Sequence, residues 1–450
     1  MRKGMYKIYN KSMSNLTSML SADGVIDPWI KSLFERITER YPLPPGIDIL
    51  PETGLYPPTL KITPHSTLPI SNGNTQESST TLHSVTLIQN ARTTREDWYQ
   101  DVRHVILKAD GDIKYEPGDV AILYPKNSSA DVETLLRRLE WDNDADDPIY
   151  VSPSSSDRTL PLGYPNSTTP TTLRTLLTKY ASITAVPRKS FIELLPYFTK
   201  DQLETDKLRE FCTPEGQDDL FDYTTRVRRT ILEVLLEFRS AVVPREYIAD
   251  LFPELRPRQF SIASSLSAHS SEIHLCIAIV SYRTKLRIPR KGICTAWLSE
   301  LQPGTRLQIG LKEGTMRLPK DLKRPVVMVG PGTGVAPMRA MIEERIAKGA
   351  SEWEKYQEAG SLTHRLAASR DQESKVYVQD LISLDSKRIK QWLVDQNGAF
   401  YISGSSNQMP TAVRKAVVTS LKNELQWSEE ASTQYVDAME TEERWCEECW

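Results

Sequence analysis

The sequence predicts an antiparallel β-barrel interrupted by an α-helical insertion and followed by an α/β domain on a parallel sheet. Three observations carry this. Short β-rich runs bounded by turn residues, VTLIQNARTT (85–94), DVRHVILKAD (101–110) and DVAILYP (119–125), resume later as RQFSIASS (258–265), EIHLCIAIVSY (272–282) and RLQIGL (306–311). Between them, residues 126–250 change to helical period, in LLRRLEW, TLRTLLTKYA, SFIELLPYF and RVRRTILEVLLEFRSAV. Beyond residue 311, strands alternate with helices: RPVVMVG, then GPGTGVAPMRAMIEERIAKG, KVYVQDLI, GAFYISG and SNQMPTAVRKAVVTSLKNEL. Such alternation implies parallel strands with helices on the sheet faces.

The N-terminal part is simpler. GVIDPWIKSLFERITERYP (24–42) places Trp29, Ile30, Leu33, Phe34 and Ile37 on one helical face, and Pro42, Pro44 and Pro45 stop the helix. Residues 46–84 are rich in Pro, Ser and Thr and read as a linker. The resulting division is 1–45, a remnant with one helix; 46–84, the linker; 85–310, the barrel with its insertion; and 311–450, the α/β domain.

Bulk properties exclude several functions. A net charge of −3 over 450 residues gives no reason to expect nucleic acid. No apolar run approaches a membrane span. Five cysteines in a chain this long form no disulfide framework, so a reducing compartment, the cytoplasm, is expected. The lone CxxC of Cys446 and Cys449 lacks a second pair, so no metal site is assigned.

Several constellations suit phosphate and redox chemistry. Gly330-Pro331-Gly332-Thr333-Gly334 follows an apolar strand and opens a helix, where close backbone approach and free N–H groups favour a phosphate. In Arg258-Gln259-Phe260-Ser261, the arginine can fork onto a pyrophosphate, the aromatic can stack on a flavin, and the serine can hydrogen-bond near its reactive nitrogen. A solvated arginine and a core phenylalanine fit the same residues equally well. Gly292-Ile293-Cys294-Thr295 opens a helix and is either a second phosphate seat or an ordinary cap. Ser369-Arg370 with Lys375, Tyr377 and Gln379 suits the 2′-phosphate of NADPH, and is equally compatible with surface charge. The terminal Glu448-Cys449-Trp450 offers an indole to cover a flavin face and an acid to assist hydride transfer electrostatically, or is a frayed tail.

Taken together and in order, residues 85–450 resemble the FAD/NADPH half of diflavin reductases, the group of microsomal cytochrome reductases, sulfite reductase flavoproteins and nitric-oxide synthase reductase halves. The resemblance is strongest to the cytosolic NADPH-dependent diflavin oxidoreductases, fungal members above all, which donate electrons to anamorsin for iron–sulfur cluster assembly. It rests on Arg256-Pro257-Arg258-Gln259-Phe260-Ser261, on LREFCTPEGQDDLFDY (208–223), RRTILEVL (228–235) and GYPNSTTPTTLRTLL (163–177). The helix ending ERYPLPPG is similar to the last helix of that family's flavodoxin-like domain. The resemblance implies a ferredoxin–NADP reductase-like fold, an FAD domain and an NADPH domain. It implies FAD contacts at Arg226, Arg258, Gln259, Phe260, Ser261, Tyr282, Gly292, Ile293, Cys294, Thr295 and Trp450. It implies NADPH contacts at Arg317, Gly332, Thr333, Gly334, Ser369, Arg370, Lys375, Tyr377 and Gln379. The catalytic set would be Ser261, Ser403, Glu448 and Trp450. FMN, a cofactor of the family, would have no site in this chain.

The chain departs from the family's pattern in three places. The flavodoxin-like domain is expected to be missing apart from its last helix. Ser403 stands where cytochrome reductases have an assisting cysteine, and Ala412 where some relatives have an acid. The strand that follows the glycine-turn helix in relatives is missing, and the next apolar segment is Leu362–Ala368. Either that segment pairs with the strand before the glycine turn, or that strand keeps an open edge. The expected activity is NADPH-driven FAD reduction with electron export. A stand-alone FAD reductase serving a separate flavodoxin or iron–sulfur protein is one alternative, and an FAD-binding form with impaired NADPH turnover is another.

Overall fold

The computed structural model describes residues 22–44, 54–65, 81–156, 158–161, 163–165, 168–284, 287–349, 363–368 and 375–450. Its strands, in chain order, are β1 (Leu60–Pro64), β2 (Leu82–Arg92), β3 (Val102–Ala109), β4 (Val120–Leu123), β5 (Ile149–Pro153), β6 (Arg258–Ser261), β7 (Glu272–Ala278), β8 (Ser281–Arg283), β9 (Pro289–Lys291), β10 (Arg306–Lys312), β11 (Val326–Val329), β12 (Ala399–Gly404) and β13 (Trp445–Cys449). The helices used below are α1 (Ala22–Arg40), α2 (Ser129–Arg138), α3 (Leu173–Lys179), α4 (Gln202–Cys212), α5 (Ile231–Glu237), α6 (Ile293–Glu300), α7 (Val335–Gly349), α8 (Val378–Leu384), α9 (Met409–Leu425) and α10 (Glu429–Thr441). The chain divides into two compact units, one of residues 1–77, 126–256 and 281–293, the other of residues 78–125, 257–280 and 294–450.

The first unit is mainly helical. Its helices begin where a short polar side chain captures an orphan N–H: Ser128 before α2, Thr172 before α3, Asp201 before α4 and Thr230 before α5. Thr230 and Glu233 form a reciprocal capping box. This is why the helix expected from Arg226 starts only at Ile231, with Arg228 in a left-handed turn (φ 54°) just ahead of it. At the other end of α5, the Arg138 guanidinium donates to the carbonyls of Leu235, Phe238 and Ala241. Leu135, Leu136, Leu173, Leu176, Phe191, Leu208, Leu235 and Phe252 belong to one buried core.

Two expectations need correction. Residues 46–84 are not all linker: Leu60 and Ile62 alternate inward from β1, which pairs antiparallel with β5, and β2 already begins at Leu82. EIHLCIAIVSY is not one strand either, because β7 ends at Ala278 and Tyr282 belongs to the separate β8–β9 hairpin. The amphipathic helix is present as α1, and its apolar residues Trp29, Phe34 and Ile37 lie exposed among the described residues.

In the second unit, six antiparallel strands lie in the order β6-β4-β10-β2-β3-β7. An isolated bridge between Ile262 and Leu275, with the Ala263 N–H donating to the His274 carbonyl at 2.7 Å, brings the two edges together and nearly closes the barrel. Val85, Leu87, Val105, Leu107, Leu123, Ile273, Leu275 and Ile309 fill it, and Cys294 and Leu298 of α6 pack onto the same core.

The same unit holds the parallel sheet β11-β12-β13. Phe400 and Trp445 stack across neighbouring strands at 4.5 Å and 9°. Strand β13 was not expected, since its short, acidic Trp-Cys-Glu-Glu-Cys has no apolar alternation to announce it. KVYVQDLI contributes no strand: residues 375–377 carry no regular structure, and α8 starts at Val378 because the Asp380 carboxylate accepts the Tyr377 N–H at 2.8 Å. Residues 363–368 form no strand, so β12 is the only partner of β11 among the described residues. The open-edge alternative therefore holds for those residues.

Strand β4 and the segment after β10 meet with almost no clearance. A Cβ on Gly314 would lie 1.7 Å from the Gly118 carbonyl oxygen, and one on Gly118 (φ +98°) 2.1 Å from that of Met316. Gly111, by contrast, faces open space. Gly314→Ala should therefore cost about 1–3 kcal/mol in urea denaturation, while Gly111→Ala should stay within about 0.5 kcal/mol of the parent.

Candidate functional site

The parallel strands all run the same way, so their carboxyl ends gather the segments that follow them, the usual place for a ligand in an open α/β sheet. After β11 comes Gly330–Gly334. Gly332 has φ +60° with open space around a would-be Cβ, and Thr333 is half-buried beside it. Gly334 is there for packing: a Cβ would strike the Ser403 carbonyl oxygen at 2.0 Å. The turn thus lies directly against the end of β12, and α7 leaves from it. In β12–β13 register, Ser403 is opposite Glu448 and Gly404 opposite Cys449. The Trp450 N–H donates to the Gly404 carbonyl at 2.9 Å, and the Ser406 N–H returns a bond to the Trp450 carbonyl at 2.9 Å. Trp450 is therefore tied down by its backbone while its side chain is 57% exposed.

The barrel supplies the opposing group. In β6, Arg258 and Gln259 are exposed, and Phe260 and Ser261 are half-buried. The Ser261 hydroxyl donates to Glu448 Oε2 at 3.4 Å. Burial pushes the Glu448 carboxyl above the usual glutamate range, only partly offset by that hydroxyl and by the Arg317 and Lys312 cations. Ser403 is fully buried, and its Oγ has no hydrogen-bond partner. Such an unsatisfied buried hydroxyl is uncommon, and this one lies in register with the half-buried Glu448. Of the expected catalytic set, Ser261, Ser403 and Glu448 are brought together, and Trp450 is the next residue along.

The other expected residues are more dispersed. Cys294 is buried, its thiol pushed up to about 12 by burial, and the Thr295 hydroxyl accepts the Val280 N–H at 3.0 Å. Arg317 is committed to Asp119 at 2.7 Å and Glu313 at 3.1 Å, and its carbonyl accepts from the Tyr401 hydroxyl at 2.7 Å. Asp119 also accepts the Gly314 N–H at 3.1 Å. In the sequence this anchor is marked only by the preceding Pro117-Gly118 turn. Lys375 and Tyr377 are exposed and Gln379 half-buried at the start of α8. Ser369 and Arg370 lie outside the described residues. In the first unit, Arg226 pairs with Asp222 at 2.8 Å and is exposed, Tyr282 is 46% exposed opposite Arg290 in the β8–β9 hairpin, and Gly292 and Ile293 lead into α6 half-buried.

The raised carboxyl of Glu448 has a direct consequence. A folded-state pKa above the unfolded value favours folding at low pH and withdraws that support as pH rises through it. Glu448→Gln keeps the shape and removes the charge. The variant should match the parent in thermal unfolding below the ordinary glutamate value and exceed it increasingly as pH rises toward neutrality. A stability difference that is constant with pH would show that burial does not disfavour the charge.

Residues 78–297 match the family described as FAD binding domain. The chain is 37% identical to an NADPH-dependent diflavin oxidoreductase 1 of Cryptococcus neoformans, over 96% of this chain and 79% of the relative. It is 37% identical to that of Danio rerio over 96% and 77%, and 34% identical to that of Schizosaccharomyces pombe over 95% and 76%. With a third or more of its residues identical across nearly its whole length, the chain belongs to the NADPH-dependent diflavin oxidoreductase family.

Proposed function

We propose that this chain takes hydride from NADPH onto FAD at the carboxyl ends of β11–β13 and passes the electrons to an iron–sulfur protein of the anamorsin type. The observation that carries this reading is the contact of Ser261, from the barrel, with Glu448, from the parallel sheet, beside the glycine turn. On this reading residues 85–310 are the FAD part and residues 311–450 the NADPH-binding part. The free cysteines, Cys212, Cys276, Cys294, Cys446 and Cys449, suit the cytoplasm, and no described helix is long and apolar enough to cross a membrane.

The residues fit the two cofactors. Gly332 leaves open space over a turn of positive φ, as close approach of a dinucleotide phosphate requires. FAD, when bound, supplies the conversion of a two-electron donation into single-electron export. The protein's part is to place and shield. Arg258 offers a planar fork to a pyrophosphate, Phe260 an apolar face, and Ser261 a hydroxyl held by Glu448. Glu448, its ionisation disfavoured by burial, keeps a proton near Ser261 over a wider pH range than an ordinary carboxyl. Trp450 covers the outer side. Lys375, Tyr377 and Gln379 provide cation, ring and amide for the phosphate-bearing end of NADPH.

A second reading rests on β11. Its open edge among the described residues and the lack of a strand at 363–368 favour an FAD protein in which NADPH-driven reduction is weak. Donors and acceptors left unpaired there would each cost about 1–3 kcal/mol.

Flavin released from the purified chain should run as FAD on HPLC, about one per chain; stoichiometric FMN instead would overturn the assignment. Arg258→Ala should weaken FAD binding by about 10- to 100-fold, the worth of a charge-assisted contact of ~1.5–3 kcal/mol. Unchanged affinity would show that Arg258 only faces solvent.

A further inference from the structure

A cluster of histidines and glutamates lies on the outer face of the barrel, apart from the residues discussed so far. Glu272 and His274 sit two apart on β7 and so share a face, opposite the core-facing Ile273 and Leu275. His269 lies in the turn before them, where Ser271 adopts a left-handed conformation (φ 61°) and the Glu272 N–H reaches back to the His269 carbonyl at 3.3 Å. Glu272 Oε2 is 3.0 Å from His274 Nε2 and 4.0 Å from His269 Nδ1, and the three ligand atoms all lie within 4.8 Å of one another. Ligands around a tetrahedral zinc ion, each at ~2.0–2.1 Å, are roughly 3.4 Å apart, so small side-chain shifts complete the arrangement.

We propose that His269, Glu272 and His274 form a binding site for a divalent transition-metal ion of the zinc type, with solvent as the fourth ligand. The far nitrogen of each histidine already has the partner such a ligand needs. His269 Nε2 lies 3.3 Å from Glu343 Oε1 on α7, and His274 Nδ1 lies 3.3 Å from His104 Nε2 on β3. Without metal, His274 Nε2 donates to Glu272 and Nδ1 accepts from Arg339 at 3.2 Å. Metal binding takes the Nε2 lone pair, moves the proton to Nδ1, and directs it to His104. Arg339, a donor only, must then swing off both histidine nitrogens, where it lies at 3.2 and 3.4 Å without metal, and it stays paired with Glu343 at 2.7 Å. Lys108 is a further charge beside Glu272. His269 and Glu272 are about a third exposed, leaving room for the solvent ligand. A bound ion would fasten the 269–272 turn, through Glu343, to α7, the helix that leaves the glycine turn.

Titration of the metal-stripped full chain with Co²⁺, followed by visible absorption, tests this. One equivalent should give d–d bands without a thiolate charge-transfer band, which separates this site from Cys446 and Cys449. Zn²⁺ should displace the Co²⁺ and raise the melting temperature. His269→Gln and Glu272→Gln, both at partly exposed positions, should each abolish the bands and the thermal shift while keeping the metal-free circular dichroism and melting temperature of the parent. Glu343→Gln should weaken binding by about 10- to 100-fold. No stoichiometric binding, binding that survives both ligand variants, or a thiolate spectrum would each overturn the proposal.

Discussion

The glycine turn rests on the end of β12 because Gly334 has no side chain. With the Ser403 carbonyl oxygen 2.0 Å from where a Cβ would stand, any other residue would push the turn off the strand. The remaining geometry follows from this contact. It sets where α7 starts, and α7 carries Glu343 and Glu344 back to the barrel, where Ser265 binds both, the N–H to Glu343 at 3.1 Å and the hydroxyl to Glu344. It also keeps the turn level with Glu448, which β13 presents opposite Ser403. A steric requirement at one residue thus aligns the barrel, the turn and the terminal strand.

The electrostatics of the site come from the same close packing. Ser403 is sealed in the middle strand with no hydrogen-bond partner, and Glu448 is buried enough to hold its proton more tightly than usual. Both features cost stability in the protein alone. Arg317 is different. Its charge is spent on Asp119 and Glu313, where it ties the strand β4 turn to the segment before β11.

Much of this was legible in the sequence. In DVRHVILKAD the apolar Val105 and Leu107 alternate inward with part-exposed neighbours, and GPGTG stands out because several glycines in one turn demand a backbone reason. Glu448 and Trp450 are legible as residues of the chain's end, but β13 is not, since a short, mostly part-exposed strand at the sheet edge takes its pairing with β12 from tertiary context rather than from its own pattern. The N-terminal β1 was hidden by the prolines around it, and KVYVQ imitated a strand until the Asp380 cap resolved it into a helix start. The His269-x-x-Glu272-x-His274 spacing was visible all along. What singles it out is His104 and Glu343, contributed by other elements that no local pattern could place beside it.

The central claim is that Ser261 and Glu448 meet where hydride is transferred. Anaerobic mixing of the FAD-loaded chain with NADPH, followed at the flavin absorption band, tests it most directly. The account predicts bleaching by NADPH in the parent chain and a slowing of about 100-fold in Ser261→Ala, the loss expected when a reacting group is displaced by an ångström or so. A flavin that NADPH does not bleach, or one bleached equally fast in Ser261→Ala, would contradict it.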